Sequence, residues 1–177
     1  MTAYLQSDSP REATDLDAEI KRYGNAILKY CFGILCDYHE AQDAMQETFA
    51  KAHASRKNLK SYESYAAWLY KIAYNTCLNM RRKRRVLLVS HSQEHEGYYH
   101  MDEPFIDSTL QEALLILTPP DRALFYSRAV EDMDYSQLEA LYNTRAATLR
   151  KRFERAKTKL RDYLVQNGYT WEGSERS

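Results

Sequence analysis

Apolar residues recur every three or four positions along most of this chain, and only 5 Gly and 4 Pro interrupt its 177 residues. That combination favours long helices over every other regular element. From Ala18 to Cys36 the stripe is Ile20, Tyr23, Ile27, Tyr30, Cys31 and Ile34. Asp37 with Glu40 three residues on is a helix-start signature. The helix that follows would bury Ala41, Ala44, Met45, Thr48 and Ala52, with Phe49 beside that stripe. Leu59 to Ser64 reads as a short polar loop. Tyr65 to Arg82 is a third helix whose core face would be Tyr65, Leu69, Ile72, Ala73, Thr76 and Met80.

Between Ser90 and Asp107 the periodicity fails, and acids, histidines, Gly97 and Pro104 accumulate, the composition of a linker. Beyond it Leu110, Ala113, Leu114 and Leu117 predict a short amphipathic helix. Thr118-Pro-Pro-Asp121 supplies an N-cap with Pro at the first helical position. Asp134 and Gln137 repeat the capping signature before Leu138 and Leu141. After Asn143-Thr-Arg145 a last helix aligns Leu149, Phe153, Ala156, Leu160 and Leu164. The expected fold is all-α: two small helical domains, residues 1–89 and 108–177, joined by a flexible acidic linker over 90–107. The short helix, tight turn and longer basic helix at 135–164 make the C-terminal unit a helix-turn-helix.

The chain carries 25 Lys+Arg and 25 Asp+Glu, but the signs are segregated. Residues 1–50 sum to −5, 51–93 to +9, 94–143 to −9 and 144–177 to +5. Blocks of this size suggest partners that differ in charge. In the first basic block, no acid stands between Glu63 and Glu94, and Tyr62, Tyr65, Trp68, Tyr70 and Tyr74 interleave with Lys71, Asn75 and the run Arg81 to Arg85. Aromatic faces stack on unpaired bases while adjacent cations track phosphates, so the segment suits single-stranded or opening DNA. In the second basic block, the face opposite Leu149 collects Ala147, Arg150, Lys151, Glu154, Arg155 and Thr158. Small residues there permit close approach to DNA, and Arg150 and Arg155 can reach guanine edges or phosphates.

The stretch Ala41-Gln-Asp-Ala-Met-Gln-Glu-Thr-Phe49, then Trp68-Leu-Tyr-Lys-Ile-Ala-Tyr-Asn75 and the basic run, resembles the promoter-melting domain of bacterial RNA polymerase sigma factors. Leu117-Thr-Pro-Pro-Asp-Arg122, Asp134-Tyr-Ser-Gln-Leu138 and Ala147 to Ala156 resemble their minus-thirty-five-binding domain. Two such domains without a middle one resemble the extracytoplasmic-function group. The resemblance implies an initiation factor that binds core polymerase, reads the minus-thirty-five and minus-ten elements and helps melt the DNA. It implies that Asp43, Gln46 and Glu47 dock on the β′ clamp helices, with the β flap as a further contact. Lys60, Ser61, Tyr62 and Ser64 would capture a flipped minus-ten base. Trp68, Lys71 and Asn75 would hold the non-template strand, and Arg81, Arg82, Arg84 and Arg85 the adjoining duplex. Arg128, Ala147, Arg150, Lys151, Glu154 and Arg155 would contact the minus-thirty-five element. An anti-sigma protein is a further partner that the resemblance implies.

Four positions depart from the family pattern: Ser61 and Asn143 stand where Gly is usual, Glu139 where a small apolar residue is, and Arg145 where Pro is common. The alternative is an autonomous helix-turn-helix regulator, which leaves the aromatic-basic helix without a role. A metal enzyme is the other class. Cys31, Cys36 and His39 have C-x4-C-x2-H spacing without a fourth ligand, and His91, His95 and His100 share the linker. No Gly-rich phosphate loop, nucleophile elbow or carboxylate pair is evident, so neither catalysis nor a cofactor or metal is expected. The N-terminal MTAYLQSDSPREATD lacks a basic n-region and apolar core. No stretch reaches the ~18 apolar residues of a membrane span, and three cysteines make an odd set. A cytoplasmic protein with reduced thiols and no membrane insertion is therefore expected.

Overall fold

The computed structural model describes residues 16–55, 65–90 and 108–169. These form seven helices: α1 (Leu16–Leu35), α2 (Tyr38–Ala54), α3 (Tyr65–Ser90), α4 (Ser108–Leu115), α5 (Pro119–Ala129), α6 (Tyr135–Tyr142) and α7 (Ala146–Gln166). No strand occurs among the described residues. The expected linker and the loop before α3 lie outside the described residues, except for Ser90 and its continuation of α3.

Local chemistry sets the helix boundaries. The Asp37 carboxylate accepts from the Glu40 amide at 2.9 Å and starts α2. Asp134 caps α6 more fully: its Oδ1 accepts from the Ser136 and Gln137 amides, and the Gln137 side chain accepts from the Asp134 amide. Those bonds hold the Asp134 carboxyl below the usual carboxylate range. Thr118 precedes α5 as expected but makes no side-chain cap bond; its hydroxyl donates to Asp121 instead, at 2.7 Å.

The three N-terminal helices pack on one another, with Ala41, Ala44, Thr48, Phe49 and Ala52 of α2 buried. The α1 stripe is broader than the sequence reading allowed. Ile20, assigned to it, is 38% exposed, whereas Tyr30 to Cys36 are all buried. A helix that is apolar all round needs cover on every side. Here α2 and α3 cover one side and α5 covers the other.

The two halves consequently share a core. One cluster of buried residues runs from Tyr23 and Ile27 through Leu69 and Ala73 to Leu124, Leu138 and Leu149. In a second, Cys36 joins Ala113, Leu114, Leu117, Ala156 and Leu160. Arg122 of α5, 2% exposed, donates from Nε to the Ile34 carbonyl at 2.7 Å and from Nη1 to the Leu117 carbonyl at 3.2 Å. A cation on open carbonyls at the end of α1 is favoured by the helix dipole. Gln111 caps the same end, donating to the Cys36 carbonyl at 3.0 Å. At Gly33 an added Cβ would lie 2.6 Å from the Tyr126 ring, so α5 approaches α1 where a side chain is missing.

Between α6 and α7, Asn143 adopts φ 49° and ψ 47°. This is the left-handed conformation that Asn tolerates and β-branched residues resist. Asn143→Gly should leave stability within about 0.5 kcal/mol of the native chain, while Asn143→Val should cost roughly 1 to 2 kcal/mol. Urea unfolding of the two variants checks this; equal stability would show that the turn does not require the left-handed state.

Candidate nucleic-acid interface

α7 presents the most open of the expected surfaces. Leu149, Ala156 and Leu160 fix it to the core, which turns Ala147, Arg150, Lys151, Glu154, Arg155 and Thr158 outward, all exposed. Arg152, one position beyond Lys151, points elsewhere. Its guanidinium binds the Asp121 carboxylate at 2.8 and 3.0 Å, tying α7 to α5. Sequence reasoning missed the part played by Tyr135. The Arg150 guanidinium lies 4.8 Å from its ring centre and that of Arg128 5.8 Å, so one tyrosine orients two cations of the expected DNA face. Its place in the first turn of α6, facing the start of α7, was the available signal. Arg128 also pairs with Asp132 at 2.7 Å, and Glu154 with Lys157 at 3.6 Å.

On α2, Asp43, Gln46 and Glu47 are all exposed. Glu47 pairs with Lys51 one turn on at 2.6 Å, an exposed pair that adds little to stability. The acidic patch thus stays open to a partner.

α3 departs from the sequence reading. Trp68, expected to hold a DNA strand, is 3% exposed and packs edge-on to Tyr65, with ring centres 5.7 Å apart. Its register explains this, because Trp68 shares a helical face with Tyr65, Leu69 and Ile72. Lys71 is half-buried beneath α6, and its ammonium donates to the Ala140 and Leu141 carbonyls. Burial lowers its pKa. Beside it Tyr74 meets Tyr142 edge-on at 4.7 Å. Asn75, Arg82 and Lys83 are exposed and Arg81 half-exposed. Arg84 is engaged by Glu40 of α2 at 2.7 Å. The Arg85 side chain lies outside the described residues, as do Lys60, Ser61, Tyr62 and Ser64. The geometry therefore brings Arg81, Arg82 and Lys83 together as an open cationic end and sets Trp68 and Lys71 apart from it.

Of the metal candidates, Cys31 and Cys36 are buried while His39 is exposed. A hydrogen bond with Cys77, together with burial, pushes the Cys31 thiol well up. No three His, Cys, Asp or Glu side chains converge on a metal-binding geometry among the described residues. Nor, among them, is any helix long and apolar enough to cross a membrane.

Residues 20–86 match the family model for Sigma-70 region 2, the segment from α1 to the cationic end of α3. The ECF RNA polymerase sigma factor SigE of Mycolicibacterium smegmatis is 26% identical over 162 residues, 85% of this chain and 62% of that protein. Over most of its length this chain is similar to extracytoplasmic-function sigma factors. The chain is similarly 23% identical to the ECF RNA polymerase sigma factor SigW of Bacillus subtilis over 158 residues, 80% of this chain and 84% of that one. Its all-helical fold is shared with the sigma factor RpoE of Bartonella quintana, solved in complex with the anti-sigma factor NepR. That likeness has a TM-score of 0.73 at 21% identity and covers 85% of this chain and 97% of the other. CnrH, solved with the cytosolic domain of CnrY, has a TM-score of 0.63 at 18% identity and coverages of 87% and 89%. The sigma factors it resembles are non-catalytic transcription initiation factors.

Binding to mixed-sequence duplex DNA across a salt series tests the cationic end of α3. Replacing Arg82 and Lys83 with Gln should reduce the log–log salt slope by about 0.9 per charge, and Arg84→Gln by less, because Glu40 already neutralises it. Equal effects from all three would remove the distinction between free and paired cations.

Proposed function

We propose that this chain is a sigma factor that binds core RNA polymerase, directs it to promoters through their minus-thirty-five and minus-ten elements, and helps melt the DNA. The observation that carries the reading is the exposed face of α7. Its Ala147, Arg150, Lys151, Glu154 and Arg155 project from a helix that the Asn143 turn and the Asp134 cap hold in helix-turn-helix geometry. Residues 108–177 are then the upstream-element reader, with Arg128 on its flank. Residues 1–89 bind polymerase and open DNA: Asp43, Gln46 and Glu47 form the acidic docking patch for the β′ clamp helices. The open cations Arg81, Arg82 and Lys83 support duplex contact beside the minus-ten element.

In this reading Lys60, Ser61, Tyr62 and Ser64 capture the flipped base, and Lys71 and Asn75 hold the non-template strand. Trp68 serves that strand by packing Tyr65 and the start of α3 rather than as an exposed stacking platform. The β flap is the expected second contact on polymerase. The likeness to RpoE, solved in complex with the anti-sigma factor NepR, supports such a protein as a further partner.

Sizing chromatography with bacterial core polymerase tests the reading. The native chain should co-elute, and Asp43→Lys with Glu47→Lys should abolish co-elution while the variant stays folded. A native chain that remained apart from active core would make it an autonomous helix-turn-helix regulator. Arg150→Ala and Arg155→Ala should each weaken upstream-element recognition by roughly 1 to 3 kcal/mol, read from promoter binding by the holoenzyme. Unchanged promoter preference in both would remove α7 as the reader.

A further inference from the structure

Between Ala146 and Arg161 the sequence of α7 holds a single acid, Glu154. It is exposed, and it stands among Arg150, Lys151 and Arg155 on the face turned away from the core. Against duplex DNA each of those cations gains from the phosphates and an acid loses, so a face built only to hold the backbone has no use for a carboxylate at its centre. We propose that Glu154 is a specificity-determining residue of this face and accepts a hydrogen bond from the exocyclic amine of a cytosine in the upstream element. This inference rests on the reading of α7 as the helix that enters the major groove there.

Three observations carry it. First, the carboxylate is available. It meets Lys157 at 3.6 Å, with the two side chains 62% and 63% exposed. A contact that long and that open to solvent adds little and yields to a better donor. Secondly, two of the nearby cations are engaged elsewhere. The Arg150 guanidinium lies 4.8 Å from the Tyr135 ring centre and that of Arg128 5.8 Å, and Arg128 also holds Asp132. Both are drawn toward α6, the helix that crosses the DNA backbone when its neighbour occupies the groove, which suits them to phosphates. Glu154 lies one turn beyond Arg150, clear of those contacts. Thirdly, the groove offers few donors. Only cytosine N4 and adenine N6 carry hydrogens on the major-groove edge. Adenine sets its N7 acceptor beside that amine, which repels a carboxylate, whereas cytosine presents no acceptor there. The guanine paired with the cytosine offers O6 and N7 to a cation, and Arg155 is the next residue along.

Selection from randomised duplex DNA by the full-length chain, alone and with core polymerase, tests this. The native chain should enrich a site with cytosine fixed at one position, and exchanging that C·G pair for T·A should weaken binding about tenfold. Glu154→Gln should move the preference at that position to adenine, because a side-chain amide pairs with N6 and N7 together. Glu154→Ala should flatten that position alone and reduce the effect of the exchange to about twofold or less. Since position 154 is exposed, both substitutions should leave the fold intact, which urea unfolding checks. An acid that serves only to pair with Lys157 gives a different result: Glu154→Ala tightens binding to every sequence alike and no preferred base changes in either variant. That outcome overturns the inference and leaves α7 as the reader. A native chain that enriches no sequence, with or without polymerase, overturns it together with the reading of α7.

Discussion

The last two turns of α1 have no side that can face water, and much of the fold is a response to that constraint. Tyr30 to Cys36 are buried without a gap, so one neighbouring layer is not enough to cover them. α2 and α3 supply the first layer and α5 the second. Cys36, at the end of the segment, is then finished by leucines of α4 and its following turn and by α7. The position of the helix-turn-helix relative to the N-terminal half therefore follows from a burial requirement set about a hundred residues earlier in the sequence. Arg122 and Gln111 complete the arrangement because the helix end they meet has open carbonyls, which cannot be left dry and unbonded.

Charge neutrality has a parallel explanation. The acidic and basic blocks are only partly spent on one another. Arg84 with Glu40 and Arg152 with Asp121 join separate helices across half-buried contacts, and these are the pairs that position elements. Among the described residues, Glu47–Lys51, Glu154–Lys157 and Arg161–Asp162 each lie within one helix and are screened by solvent. What is left over is an acidic patch on α2 and cationic faces on α3 and α7. A zero sum thus coexists with strong local fields of both signs, the condition under which a single chain can meet an acidic polymer and a basic protein surface.

Most helices were legible in the sequence because their signals are local. The capping residues Asp37 and Asp134, the Pro pair at α5 and the Asn143 turn act within four positions of themselves, and α6 runs over the residues the pattern implied. The α7 face was legible for the same reason, since its opposite face is a clean stripe. The seam between the halves was not read, although its sign was present. Tyr-Cys-Phe-Gly-Ile-Leu-Cys over 30–36 is apolar at every step, more than one helical stripe contains. Ile20 falls on that stripe by spacing, yet among the described residues its end of α1 has no layer to cover it. Trp68 reads from the sequence as either core or stacking platform, and composition cannot tell a ring that stacks on a base from one that stacks on Tyr65. That difference lies in which neighbour reaches the face first, a tertiary fact.

Tyrosines are prominent in the seam: Tyr30 meets Tyr126 and Tyr74 meets Tyr142 edge to face across it, and Tyr70 backs Tyr30 from α3. Each ring fills space as phenylalanine would, yet carries a hydroxyl that water can satisfy as well as a neighbour can. Leucines in the same places would make a surface that, once parted, either closes again at once or sticks to other molecules. Tyrosines make one that can be wetted. A seam of this kind asks for bonded hydroxyls as well as packed rings, which narrows the ways in which its two sides can fit together.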